Sequence, residues 1–221
     1  MERHASLRQS GQVKLTMLHV GEHLWALGRR SLPMHPVQKE YRNLSKLTDS
    51  YEFADADGNK CKKKQAQLGK GAYGVTYRMR HKIDHQLFAV KVVNLDDARE
   101  LGVDLDDLQR ESQALTRMCH KNIIRYFCTC KYEREVEDEM VSEYCMVMEL
   151  ASGGELFDLL TSQPGDRFSE PFAADLMAQM LSAVHYIHSR GVVHRDLKLE
   201  NFLLEGPIQL PPTAAAAAAS A

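Results

Sequence analysis

The sequence predicts an α+β fold: a β-rich first half carrying one long helix, followed by the beginning of a mainly α-helical second half. Three observations lead there. Val75 to Arg80 and Leu87 to Val93 are strand-like runs around the turn-like segment His81 to Gln86, the pattern of a hairpin. Leu101, Leu105, Leu108, Leu115 and Met118 recur at helical spacing. Phe172, Leu176, Met180, Leu181, Val184 and Ile187 mark one apolar face of a second helix, which Ser169 can cap, with Pro171 in its first turn and Gly191 closing it. Four segments follow: an arm over 1–50, a β-rich lobe over 51–150, a partial helical lobe over 151–210 and an alanine-rich tail over 211–221.

Composition excludes several function classes. The chain has 221 residues, is 44% hydrophobic and 26% charged, and carries a net charge of −2. No field of one sign points to nucleic acid or an anionic membrane as main partner, and no apolar run reaches the length of a bilayer span. Met1 to Arg30 lacks the continuous hydrophobic core of a secretory signal. Five cysteines at 61, 119, 128, 130 and 145 give neither a disulfide framework nor zinc spacing, so reduced thiols in an intracellular, cytoplasmic protein are expected. Cys128 and Cys130 share one strand face and read as small packing residues.

Residues 1–50 show no sustained period, and Pro33 and Pro36 break any regular element. This stretch reads as a flexible arm with room for one short helix. Asp55-Ala56-Asp57-Gly58-Asn59 resembles a calcium loop only at its start. The sixth and twelfth positions hold Lys60 and Ala66 where that loop needs Gly and Glu, so a glycine-containing hairpin turn is expected instead.

Denser signals begin at Leu68-Gly69-Lys70-Gly71-Ala72-Tyr73-Gly74-Val75-Thr76. Glycines at this spacing let backbone N–H groups approach phosphate oxygens with no Cβ in the way. A dinucleotide-binding unit would continue with a helix; here a strand follows. That strand's partner reads Phe88-Ala89-Val90-Lys91-Val92-Val93. An unpaired ammonium is costly in such surroundings, so Lys91 needs anions, phosphates on one side and a carboxylate on the other. Glu111, inside the first helix and 20 positions after Lys91, supplies the carboxylate. His120-Lys121-Asn122-Ile123-Ile124 then turns the chain into the next strand. Glu133 to Glu139 reads as a solvated acidic loop.

Further on, His194-Arg195-Asp196-Leu197-Lys198-Leu199-Glu200-Asn201 matches H-R-D-x-x-x-x-N at every fixed position. With the upstream motifs in the right order, the stretch from Leu68 to Leu210 resembles the eukaryotic protein-kinase family. It resembles the serine/threonine type, because Lys198 stands two residues after Asp196. The loop wording and the H-x-N-I-I turn look broadly like the calmodulin-dependent group.

The resemblance implies ATP and Mg²⁺ as cofactors and a protein with a Ser or Thr hydroxyl as substrate. It implies that Asp196 orients that hydroxyl, that Lys198 stabilises the transferred phosphate and that Asn201 ligates Mg²⁺. Lys91 would hold the α- and β-phosphates, oriented by Glu111. Ala89 and the residues from Leu68 to Thr76 would cover the nucleotide. Met148 falls at the gatekeeper place, the backbone of Glu149 and Ala151 meets the adenine edge, and Glu155 lies near the ribose. Thr76 departs from the family's usual valine and adds a hydroxyl.

Phe202 to Glu205, a turn at Gly206-Pro207 and Ile208 to Leu210 read as the two strands leading to the family's D-F-G. Pro211-Pro212-Thr213 and an alanine run stand in its place, and no aspartate follows Asp196. The expectation is an incomplete catalytic domain. The alternative is a nucleotide- or partner-binding module without catalysis.

Overall fold

The computed structural model describes residues 14–17, 25–26, 47–72, 74–136 and 139–208. Most of the β-rich lobe is one antiparallel sheet. Its strands are β3 (Tyr51–Phe53), β4 (Gln67–Lys70), β5 (Gly74–His81), β6 (Leu87–Asn94), β7 (Tyr126–Val136) and β8 (Glu139–Glu149). The order is β3-β5-β6-β8-β7, and β4 pairs β5 beyond the end of β3. Every link in the path is a short hairpin or a lateral neighbour, as expected of an antiparallel sheet.

Strand period two divides the sheet into two faces. Phe88, Val90 and Val92 of β6, with Cys145 and Val147 of β8, pack with Tyr51, Met79, Cys128 and Cys130 on the outer face. Ala89 and Val93, with Tyr144, Met146 and Met148, face the helices. Lys91 lies between Ala89 and Val93 in this alternation, which puts it on the helix-facing side. The cysteines are free thiols; Cys128 packs in the outer-face core, and burial there pushes its thiol up to about 12.

The expected helix from Leu101 is interrupted. The chain forms α2 (Leu95–Glu100) and α3 (Leu105–Thr116) instead. Asn94 caps the first and Asp104 the second, accepting from the amide of Asp107 at 2.8 Å. Gly102 between them has φ +79°, a conformation open to glycine but disfavoured for other residues. Leu101 is therefore in a turn and 56% exposed, not on the helix's apolar face.

The second half contributes α4 (Leu156–Thr161) and α5 (Glu170–Ser189). Leu176, Met180, Ala183 and Ile187 of α5 are buried, whereas Leu181, expected on that face, is 59% exposed. The Ser169 side chain makes no cap hydrogen bond, although Pro171 sits in the first turn.

Three further expectations are corrected. The acidic segment from Glu133 is not a loop: the β7–β8 ladder continues to Val136 opposite Glu139. It is held partly by Glu143, a buried carboxylate that accepts from Tyr132 Oη at 2.6 Å and Arg134 at 2.7 Å. In the arm, the short helix is present as α1 (Leu47–Ser50), but β1 (Leu15–Met17) and β2 (Trp25–Ala26) also lie within it; the rest of 1–50 apart from Lys14 lies outside the described residues. Finally, the strand beside β10 (Phe202–Leu204) is β1 from the arm, antiparallel, with Thr16 opposite Leu203. Ile208 is in no strand, and 209–221, including the alanine tail, lie outside the described residues. The turn at Asp55 to Asn59 is as expected: Asp55 Oδ1 accepts from the amides of Asp57 and Asn59, and Gly58 has φ +83°.

Candidate active site

The residues singled out in the sequence gather in two groups, one on the sheet and one after β9 (Val192–Val193). In the first, register places Lys91 opposite Thr76 on β5 and opposite Met146 on β8. Burial holds the Lys91 ammonium below its ordinary pKa, and the negative charge of Glu111 on α3 opposes that shift. The carboxylate chosen by spacing is thus the one whose field reaches the lysine. Glu111 lies one turn from Leu108 and Leu115, both buried, so the apolar face of α3 fixes which way its row faces.

The glycine segment bends from β4 into β5, with the Gly71 amide donating to the Gly74 carbonyl at 2.8 Å. A Cβ on Gly74 would come within 2.8 Å of the Val92 carbonyl oxygen, so the chain itself demands glycine there. At Gly69 a Cβ would meet nothing within 4 Å, and at Gly71 only the Gly74 oxygen at 3.7 Å. Packing within the chain does not require those two glycines. Leu68, Lys70 and Ala72 are exposed, Val75 and Thr76 half-buried; Tyr73 lies outside the described residues.

Ala89 faces Met148 across the β6–β8 ladder, and both are buried. The Glu149 amide donates to the Arg125 carbonyl at 2.8 Å, so this residue can meet a ligand's edge through its carbonyl but not its N–H. Past Ala151, which packs against the main core, the chain is bonded to β10. Ser152 and Gly153 amides donate to the carbonyls of Glu205 and Leu204, and the Leu204 amide donates back to Gly154. A Cβ on Gly153 would stand 2.2 Å from the Gly206 oxygen. Glu155 precedes α4; burial and the charges of Asp158 and Glu200 raise its pKa.

In the second group, His194 is 2% exposed, and its Nδ1 accepts from the Asp196 amide at 3.3 Å. Arg195 between them has φ +65°, a left-handed conformation unusual for a branched chain of this size. That bend presents Asp196. Its Oδ2 lies 3.0 Å from Lys198 Nζ, and Asn201 Nδ2 donates both to Oδ2 at 2.9 Å and to the Asp196 carbonyl at 2.7 Å. Lys198, and then Asn201, hold the Asp196 carboxyl below the usual carboxylate range; Asp196 in turn raises Lys198. Asn201 is buried, in a short 3₁₀ turn that runs into β10. Asparagine there donates to Asp196 through its amide nitrogen, and its amide oxygen is of a type that could hold a cation. Among the described residues no three Asp, Glu, His or Cys side chains gather as a metal site.

Sequence reasoning missed Asn122 and Gln179, whose side chains meet at 2.9 Å behind β1. The only signal was the short alternation Val13-Lys14-Leu15-Thr16-Met17.

A sheet-borne lysine facing a helical glutamate, and a distant loop presenting Asp196, Lys198 and Asn201, define a phosphoryl-transfer class of domain. Residues 62–210 match the family model described as Protein kinase domain, and the chain belongs to that family. Its curated relatives include myosin light chain and calcium/calmodulin-dependent protein kinases. Myosin light chain kinase A of Dictyostelium discoideum is 39% identical over 140 residues, covering 63% of this chain and 43% of that protein. Calcium/calmodulin-dependent protein kinase type IV of Homo sapiens is 37% identical over 143 residues, covering 65% and 27%. The type 1 enzyme of Caenorhabditis briggsae is 36% identical over 160 residues, covering 72% and 38%. The chain thus spans less than half the length of each of these relatives.

Proposed function

We propose that this chain binds ATP and transfers its γ-phosphoryl group to a Ser or Thr hydroxyl of a protein. The observation that carries the reading is the Asp196 carboxylate held jointly by Lys198 and Asn201. In the step, the bond from the γ-phosphorus to the bridging oxygen breaks, the hydroxyl oxygen bonds to phosphorus, and ADP leaves. Asp196 orients the hydroxyl and receives its proton. Its depressed pKa makes it a weak base, which suits a loose transition state in which the proton leaves late. Lys198 neutralises charge on the moving phosphoryl group, and Lys91, steadied by Glu111, holds the α- and β-phosphates. Leu68 to Thr76, Ala89, Met148, the backbone of Glu149 and Ala151, and Glu155 bind the nucleotide. The space above Gly69 and Gly71, which the chain does not use, supports that assignment.

Mg²⁺ takes one or two protein oxygens together with phosphates. The Asn201 amide oxygen beside the Asp196 carboxylate fits that need; the ion, when bound, offsets phosphate charge.

A second reading, favoured by an Asp196 carboxylate already engaged by both Lys198 and Asn201, is nucleotide binding without transfer. Thermal shift with ATP, with and without Mg²⁺, alongside transfer of labelled γ-phosphate to a Ser/Thr peptide mixture, separates the two. Transfer that disappears in Asp196→Asn supports the first reading. Metal-independent stabilisation with no label transferred supports the second, and no shift with either removes both.

A further inference from the structure

The start of the chain is built into the catalytic half on both of its backbone edges. Successive residues of a strand point their N–H and C=O groups to opposite sides. On one side, the Met17 amide donates to the Asn122 carbonyl at 2.9 Å and the Ile124 amide donates to the Met17 carbonyl at 3.0 Å. On the same side, the Leu15 amide donates to Gln179 Oε1 at 2.9 Å, and Asn122 Nδ2 donates to the Leu15 carbonyl at 2.7 Å. On the other side lies β10, with Thr16 opposite Leu203 and the Glu205 amide donating to the Lys14 carbonyl at 3.1 Å. Leu15 and Met17 are 1% and 3% exposed. β1 is thus hydrogen-bonded along both edges, not a tail resting on a surface.

The second short strand repeats the arrangement at the other end of the loop. Trp25 and Ala26 stand opposite Val193 and Val192, the residues just before His194. Both exits of the segment from His194 to Asn201 are thereby paired with the same stretch of N-terminal chain. Asn201 directly precedes Phe202, whose partner is Met17.

We infer that residues 14–17 and 25–26 act as a clasp that positions the loop carrying Asp196 and Asn201, with Gln179 of α5 as the polar catch that holds the clasp. Gln179 Oε1 accepts from both the Leu15 amide and Asn122 Nδ2, so one acceptor joins the N-terminal strand, the turn before β7 and the long helix. The inference rests on the proposed function for what the loop does, but not for where the clasp sits. Gln179 is a positioning residue: it is two elements away from the reacting groups and acts through β1 and β10.

The chemistry of the catch dictates the test. Both bonds use an oxygen acceptor, so Gln179→Glu retains them and Gln179→Leu removes them. Hydrogen exchange followed by mass spectrometry on the full chain, without nucleotide, reads the clasp directly. In Gln179→Leu, peptides covering 14–17 and 202–205 are expected to exchange about tenfold faster, the scale of one net hydrogen bond. The β5–β6 hairpin should keep its rate, and Gln179→Glu should behave as the parent chain. Thr16→Cys with Leu203→Cys checks the register independently, since an oxidised 16–203 disulfide mapped by peptide mass requires the two strands to be opposed. Where transfer is measurable, Gln179→Leu lowers kcat while KM for ATP is kept. Unchanged exchange over 202–205 in Gln179→Leu, or no 16–203 crosslink in the parent background, overturns the clasp. Exchange and crosslinking need no turnover, so they stand or fall separately from the kinase reading.

Discussion

Asn201 holds Asp196 from two directions at once: its Nδ2 donates to the main-chain carbonyl at 2.7 Å and to the side-chain Oδ2 at 2.9 Å. One buried amide therefore fixes both the path of the loop and the rotamer of the carboxylate. Asparagine suits the place because it donates without adding charge.

Asn201→Leu removes both bonds and leaves the Asp196 carbonyl to find water. A loss of about 1–3 kcal/mol in folding stability is expected for a buried polar partner of this kind, read from urea unfolding midpoints. Asn201→Asp puts a second carboxylate against Asp196. Its deficit should grow as pH rises above about 4, where both carboxyls ionise.

The pH dependence of Asp196 has a definite sign. Lys198 and Asn201 lower its pKa from the ordinary 3.8, so the folded state favours the carboxylate. The resulting stabilisation is present above pH 3.8 and is lost as pH falls through the folded value. Thermal midpoints of the parent chain and Asp196→Asn should therefore converge below that pH. A difference that stays constant from pH 7 to pH 3 refutes the assignment.

Lys91 behaves in the opposite sense. Burial lowers its pKa from 10.5, so the charged lysine disfavours the folded state below that value. Stability from this group rises as pH climbs from the folded pKa toward 10.5. Lys91→Met combined with Glu111→Gln leaves neither charge alone in the interior. The pair is expected to raise the thermal midpoint at pH 7, with the gain shrinking toward pH 10.5, and to abolish stabilisation by ATP. A lowered midpoint at pH 7 refutes the burial argument.

Gly153→Ala tests the joint between the chain leaving β8 and β10. The new Cβ would stand 2.2 Å from the Gly206 oxygen and 2.6 Å from Leu204 Cβ, and backbone cannot swing aside as a side-chain tip can. A loss of about 1–3 kcal/mol is expected, measured by chemical unfolding. Gly69→Ala, where a Cβ meets nothing within 4 Å, should leave stability nearly unchanged while weakening ATP binding.

Much of this molecule was legible in its residues. The β5–β6 hairpin, the placing of Glu111 where its charge reaches Lys91, and the H-R-D loop are local patterns, each encoded within a few positions of itself or by one fixed spacing. Helix ends were less legible: Leu101 sits on the helical period, yet α2 ends before it, Gly102 turns the chain and the cap at Asp104 starts α3 beyond it. The acidic run from Glu133 looked like a loop because charge alone was counted. In the fold, Glu143 gives Arg134 and Tyr132 a buried partner, and cross-strand pairing carries the strand onward.

The sequence by itself determined the family, the two clusters of candidate site residues and the two-face pattern of the sheet, because period two and motif spacing are properties of neighbouring positions. Only the tertiary structure decided what β10 pairs with. The residues after Pro207 and the residues around Thr16 both offer an apolar–polar–apolar triplet, and such a triplet does not encode its partner. Asn122 and Gln179, brought together from distant parts of the chain, complete the hydrogen bonds of Leu15, and buried backbone groups must be paired somewhere. That requirement, which acts through space rather than along the chain, placed the N-terminal strand beside the catalytic loop.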